Sequence, residues 1–228
     1  PWSNIGYWGD HQIIYLLRLL ESSRRHRPSA LRALLHRRLF SYADVPYRLR
    51  PYEALLAAPK STIEFDHAHA ARVQERVSRV GADGRLVHRA DDSIHHVSLI
   101  AKLIVPALAK VCCMAPDGGV WLNTQRPEWN DANNALAGCG LSMVTLFHLR
   151  RYLTFLIDLL RSEDDLPIEL SAEVAVWFDE TLTTLTESLE ALEAPEISPR
   201  DCKRIFERLG IGFSRYRHRV YEQGFSGW

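Results

Sequence analysis

Apolar residues return every three to four positions along most of this chain, and nowhere do they alternate for long enough to build a sheet. That period restricts the fold more than any other feature, because it places side chains on one face of an α-helix and forces each helix to bury that face against another. Between Gln12 and Arg24 the apolar face is Ile13, Leu16, Leu17 and Leu20, widened by Ile14 and Leu19. A second helix, after Pro28-Ser29, carries Leu31, Leu34, Leu35 and Leu39. Pro46, Pro51 and Pro59 then mark a loop-rich stretch with one short helix.

A helix beginning near His67 presents Ala70, Val73, Val77 and Val80 and stops at Gly81. Asp92-Ser93 reads as the cap of a long helix bearing Val97, Ile100, Leu103, Ile104, Leu108 and Val111, with a kink expected at Pro106. Leu141 to Leu160 and Ser171 to Glu193 are expected as long helices, separated by Asp164-Asp165-Leu166-Pro167. Ser198-Pro199-Arg200-Asp201 has the form of an N-cap, a proline at the first helical position and an early carboxylate. It opens a short helix expected to end at Gly210, before a final helix toward Tyr221. About eight helices with no strand ladder imply an all-α chain of antiparallel helical hairpins, residues 1–228 forming one helical domain. Leu16, Leu17, Ile100, Ile104, Leu149 and Leu182 are the expected core.

Charge and cysteine usage narrow the partners. Lys+Arg and Asp+Glu balance at 28 each, so the positive field of a protein that lives on nucleic-acid phosphates is missing. The run Arg24-Arg25-His26-Arg27 reads as a solvated face at a helix C-terminus. Cys112, Cys113, Cys139 and Cys202 lack zinc-type spacing and fit a reducing, cytoplasmic compartment. The apolar stretch from Val97 to Met114 is interrupted by Lys102, Pro106 and Lys110, which favours a buried helix over a membrane span. His67, His69, His95 and His96 lie at spacings that diverge on a helix, so no metal site is expected from them.

One segment breaks the helical pattern. From Asp117 to Gly140 the chain is rich in Gly, Asn, Pro and Trp, and its centre runs Arg126-Pro127-Glu128-Trp129-Asn130-Asp131. An indole stacks on the apolar face of a pyranose, amides and carboxylates meet its hydroxyls, and a carboxyl beside an indole is desolvated toward the pKa of a general acid. A second cluster, Asn4-Ile5-Gly6-Tyr7-Trp8-Gly9-Asp10-His11-Gln12, sets aromatic and polar groups at the start of a buried helix. With Tyr7, Trp8 and Trp129, Trp121 is expected to line a cleft.

These two clusters resemble the cellobiose and chitobiose phosphorylases and their wider clan of (α/α)6-barrel sugar enzymes. Trp129-Asn130-Asp131 matches the family's W-N-D loop, whose aspartate is the general acid, and Asp10 with Gln12 resembles its upstream R-D-Q motif. The two aspartates stand 121 positions apart, similar to the family separation. Gly9 stands where the family has arginine, His11 is inserted between aspartate and glutamine, and Ala132 replaces the usual glycine. The resemblance spans roughly Asn4 to Tyr152, with motif matches at its two ends.

It implies that the chain is a segment of a larger (α/α)6 catalytic barrel, completed by the remainder of a parent chain, and that it acts in carbohydrate metabolism. Asp131 would protonate the leaving oxygen of an oligosaccharide or disaccharide, while Asp10, Gln12, Trp8, Trp129, Asn130 and Arg126 would hold the sugar. Inorganic phosphate would attack with inversion, without a further cofactor; a hydrolase would need a second carboxylate about 6.5–9.5 Å away to activate water, for which Glu128 and Glu222 are the candidates. The alternative is a non-catalytic helical module that binds carbohydrate or serves as a scaffold.

Overall fold

The computed structural model describes residues 11–123, 138–161 and 167–226, with the side chains of His11 and Gln12 outside that description. These residues are 64% helical and 9% strand. In chain order the helices are α1 (His11–His26), α2 (Pro28–Leu35), α3 (Tyr52–Ala57), α4 (His67–Val80), α5 (Leu99–Val111), α6 (Met143–Arg161), α7 (Ala172–Glu187), α8 (Leu189–Glu193) and α9 (Pro199–Gln223). The all-α expectation holds, with additions. Strand β1 (Tyr47–Leu49) pairs antiparallel with β2 (Ile63–Phe65), and β3 (Val120–Trp121) with β4 (Leu141–Ser142). Pieces of two or three residues leave no period for a sequence to display.

Local chemistry sets the helix ends. Asp66 accepts from the backbone N–H of His69 at 2.8 Å to start α4, and Gly81, at φ 75°, stops it. Ser198 caps α9 by accepting from the Asp201 N–H at 3.1 Å, with Pro199 at the first position. The cap of α5 is Ser98, which accepts from the Ala101 N–H at 3.2 Å, and not Asp92-Ser93. Asp91 instead takes the Ser93 N–H at 3.0 Å and its hydroxyl at 2.6 Å, folding this stretch into a tight turn with Asp92 at φ 67°. Pro106 lies inside α5.

Two antiparallel hairpins organise the core. In the first, Ile100 and Ile104 of α5 face Leu156 and Leu159 of α6, and the Tyr152 hydroxyl donates to the Leu103 carbonyl at 2.9 Å. In the second, Glu180 and Glu187 of α7 meet Arg215 and Arg208 of α9, at 3.2 and 2.7 Å, while Trp177 stacks on Phe213 and Tyr216. Helix α1 packs beside α6 in the same direction: Glu21 meets Arg151 at 2.6 Å, and Arg24, one turn on, lies over the Phe155 ring at 4.4 Å. Leu17, Ile100, Ile104 and Leu149 are core residues and Leu16 is partly buried against them.

Leu182 is 53% exposed, which corrects its assignment to the core: Val174, Trp177, Thr181 and Thr184 are the inward face of α7, and Leu182 is one step round the cylinder. Leu39 lies beyond the end of α2 and is exposed. Helix α4 buries none of its side chains, and the element it packs against most closely is the 3-10 turn Gly81–Arg85 folded back beneath it. Ser188 divides the segment expected as one helix into α7 and α8.

The expected break at Gly210 is absent. Helix α9 runs unbroken for 25 residues, and Gly210 serves packing: a Cβ there would lie 2.4 Å from the Tyr52 ring. At Gly212 the nearest atom to an added Cβ is the Glu180 carboxylate, at 3.3 Å on a flexible side chain. Gly210→Ala should therefore destabilise the protein by about 1–3 kcal/mol through overpacking. Gly212→Ala should be neutral or stabilising by up to about 1 kcal/mol, from helix propensity; urea unfolding of the two variants measures both.

Candidate functional site

The motif segments enter the described structure at defined places. Gln12 is in the first turn of α1, known here by its backbone; Trp8, Asp10, Arg126, Trp129, Asn130, Asp131 and Glu128 lie outside the described residues. What is described is the base from which the second segment springs. Trp121 donates its backbone N–H to Cys113 at 2.7 Å, Leu122 donates to Gly140 at 3.0 Å, and Gly138 returns a bond to Leu122 at 2.5 Å. Residues 122 and 138 are thereby clamped side by side at the end of α5 and the start of α6.

Three features explain why the sequence closes there. Trp121 is buried and its indole N–H donates to the Gly138 carbonyl at 3.2 Å. Its ring packs edge-on against Phe206 at 5.5 Å and Tyr52 at 6.5 Å, so it is a core residue and not a cleft wall. Gly138 has φ 81°, and a Cβ there would fall 1.8 Å from the Pro59 carbonyl oxygen. The buried Asn123 amide donates to the Cys113 sulfur at 3.2 Å, fixing the last described residue before the segment.

Elsewhere the structure accounts for several candidates. Glu222 pairs with Arg48 of β1 at 2.9 Å, and Arg48 also meets Asp66 at 2.8 Å, so this carboxylate is committed to a tie between α9 and the β1–β2 hairpin. The His69 ring lies between Asp44, 2.6 Å from Nε2, and the Arg72 guanidinium, 3.2 Å from Nδ1. Arg76 also bonds Asp44. Burial pushes the Asp44 carboxyl upward, but its bonds to His69 and Arg76 prevail and hold it below the usual carboxylate range. Among the described residues no three His, Cys, Asp or Glu side chains gather as metal ligands would.

A buried polar cluster escaped the sequence reading. His95 is fully buried, bonds the Ser171 hydroxyl at 3.0 Å and stacks on Phe225 at 4.6 Å. Glu173, 2% exposed, accepts from the Ser226 N–H at 3.1 Å and from its hydroxyl, with Arg219 at 3.6 Å. Lys102 lies 4.5 Å above the Tyr42 ring, and burial brings its pKa down to about 8. These groups come from four distant stretches, and no local pattern relates them. The cluster ties the end of α9 to the start of α7. A small apolar gap between α5 and α6, lined by leucine and isoleucine, offers a sugar no polar partner.

No family model matches the chain, and no curated protein matches it.

The clearest electrostatic consequence concerns His95. Burial, followed by the nearby Arg89 charge, lowers its pKa from 6.5 to about 4. The unfolded chain thus binds the proton more tightly, and His95 makes stability fall as pH drops from about 6.5 to about 4, by up to about 3 kcal/mol. His95→Gln removes this contribution. Chemical unfolding at pH 7 and pH 4.5 should show a smaller acid loss in the variant than in the wild type; equal losses would exclude His95 as the source.

Proposed function

We propose that this chain forms part of an (α/α)6 barrel in a glycoside-processing enzyme, acting on an oligosaccharide or disaccharide with Asp131 as general acid. The observation that carries the reading is the parallel packing of α1 and α6. The register Glu21 to Arg151 and Arg24 to Phe155 brings the first turns of both helices to one end of the array. Asp10 directly precedes α1, and the segment holding Trp129-Asn130-Asp131 returns through Gly138 to β4 and the start of α6. Parallel inner helices that open toward a shared mouth are what a barrel active site requires, and antiparallel neighbours such as α5 would form its return layer.

Within that arrangement the chemistry follows from the residue types. The Asp131 carboxyl, desolvated by the neighbouring indole, delivers its proton to the glycosidic oxygen as the bond breaks. Trp129 would stack on the sugar face, while Asp10, Gln12 and Asn130 would take its hydroxyls, and Trp8 and Arg126 would complete the binding of the sugar. Phosphate attacking from the opposite face brings its own nucleophilic oxygen and needs no protein base. Water would need a carboxylate placed about 6.5–9.5 Å from Asp131. With Glu222 committed to Arg48, Glu128 is the remaining candidate for that role.

Incubation with a disaccharide panel, with and without inorganic phosphate, distinguishes the outcomes: a sugar phosphate identifies phosphorolysis, free sugar alone identifies hydrolysis, and binding without turnover identifies a non-catalytic carbohydrate module. Asp131→Asn should reduce turnover of substrates with poor leaving groups by about 10²–10⁴-fold, because the amide keeps the shape and cannot give up a proton. Glycosyl fluorides need little protonation and should lose much less. Equal loss for both substrate classes would assign Asp131 to binding or structure, and full activity would remove it from the mechanism.

A further inference from the structure

His88 stands between two turns of the chain. Before it, the 3-10 turn Gly81–Arg85 lies so close beneath α4 that a Cβ at Gly84 would fall 2.5 Å from the Val77 backbone nitrogen. After it comes the tight turn in which Arg89 donates its N–H to the Ser93 carbonyl at 2.8 Å and Asp92 has φ 67°. His88 itself pairs with Ile94 across that turn, and the neighbouring Val87 carbonyl accepts from the His95 N–H at 2.9 Å. Both turns are tied to α4, the first by Arg76 on the Gly84 carbonyl at 3.3 Å and the second by Arg79 on the Asp92 carboxylate at 2.5 Å.

The His88 ring bridges the two turns. Its Nδ1 lies 2.9 Å from the Asp92 carbonyl oxygen and its Nε2 lies 3.0 Å from the Asp83 carbonyl oxygen. A carbonyl oxygen only accepts, and a neutral imidazole carries a single N–H. The neutral ring therefore bonds one turn and aims a lone pair at the carbonyl of the other. The imidazolium donates to both, and its charge strengthens each bond. The charged groups on the surrounding elements are His69, Glu75, Arg76 and Arg79 of α4, Asp83 and Arg85 of the 3-10 turn, and Arg89, Asp91 and Asp92 of the tight turn, with His96 beyond it. His69 and Arg76 are engaged with Asp44, Arg79 with Asp92, and Asp91 with Ser93. Among the described residues, the ring's hydrogen-bond partners are the two carbonyls.

We infer that His88 is a proton-operated clasp that holds the 3-10 turn and the tight turn together beside α4. While the ring is protonated both carbonyls are bonded and the two turns act as one support. When the proton leaves, one carbonyl must turn to water, and the turns are no longer joined through the ring. Helix α4 buries none of its side chains and leans on these turns, so it is braced in mild acid and looser in mild base. The bracing is lost as the pH rises through the range in which histidines give up their proton. The proposal stands apart from the sugar chemistry and does not depend on it.

Nitrogen NMR of the imidazole ring and amide hydrogen exchange, both on the full chain, test the clasp. At pH 5.5 both His88 nitrogens should carry hydrogen. Protection of the Leu86, Arg89, Asp92 and His95 amides, corrected for the intrinsic effect of pH on exchange, should fall by about ten-fold between pH 5.5 and pH 8.5. This window stays above the range, about pH 4, in which the buried His95 takes up its proton. His88→Gln and His88→Arg should each abolish the fall, with the higher protection in His88→Arg because it keeps the charge and several donors. His69 and His96 remain in both variants, so a fall that persists in His88→Gln would assign the effect to another group and overturn the proposal. A neutral His88 ring at pH 5.5, or equal wild-type protection at both pH values, would overturn it as well.

Discussion

Burial of the Trp121 indole is the interaction on which the arrangement around the candidate site depends. Its ring fills the space between Tyr52 and Phe206, its N–H is satisfied by the Gly138 carbonyl, and its backbone joins Cys113 to the start of α6. One side chain therefore fixes α3, α9 and both ends of the α5–α6 connection. A buried indole without that carbonyl would leave an unsatisfied donor, and a side chain at Gly138 would displace the Pro59 carbonyl that lies against it. Aromatic burial and a conformation open to glycine act here as one device.

The same division of labour appears across the molecule. Apolar stripes bring α5, α6, α7 and α9 together, and polar ties then set their register: Tyr152 on the Leu103 carbonyl, Glu180 and Glu187 on Arg215 and Arg208, and Ser226 on Glu173. Burial supplies the larger part of the free energy but is indifferent to small slides along a helix axis. Directional bonds penalise such slides, most strongly where a partner is buried, as Tyr152 and Glu173 are. Between α1 and α6 the same part is taken by Glu21 on Arg151 and Arg24 on the Phe155 ring.

How much of this was legible in the sequence depended on whether the signal was local. Helical periodicity located the long helices, and Gly81 and Ser198 marked ends that the structure reproduces, because a cap is a contact between residues three or four apart. Asp92 misled because aspartate favours a left-handed turn as readily as a cap, and the choice was made by bridges formed across that turn. Gly210 misled for a different reason: its glycine answers to the Tyr52 ring, 158 positions away in sequence, and no neighbour reports that contact. Trp121 carried the composition of a cleft but the environment of a core. For the two motif segments themselves, the sequence supplies the residue types, and the structure describes only the chain that follows each: α1 after the first, β4 and α6 after the second.

Helix α4 behaves unlike its neighbours. It contributes nothing to the apolar core, and its ties run through Asp44 to His69 and Arg76, through Asp92 to Arg79 and through Asp66 to Arg48. Added salt screens such pairs, whereas a strongly hydrated anion such as sulfate strengthens burial in the hydrophobic interior. The same solution therefore loosens this helix while tightening the body beneath it, and the molecule has no single response to ionic strength.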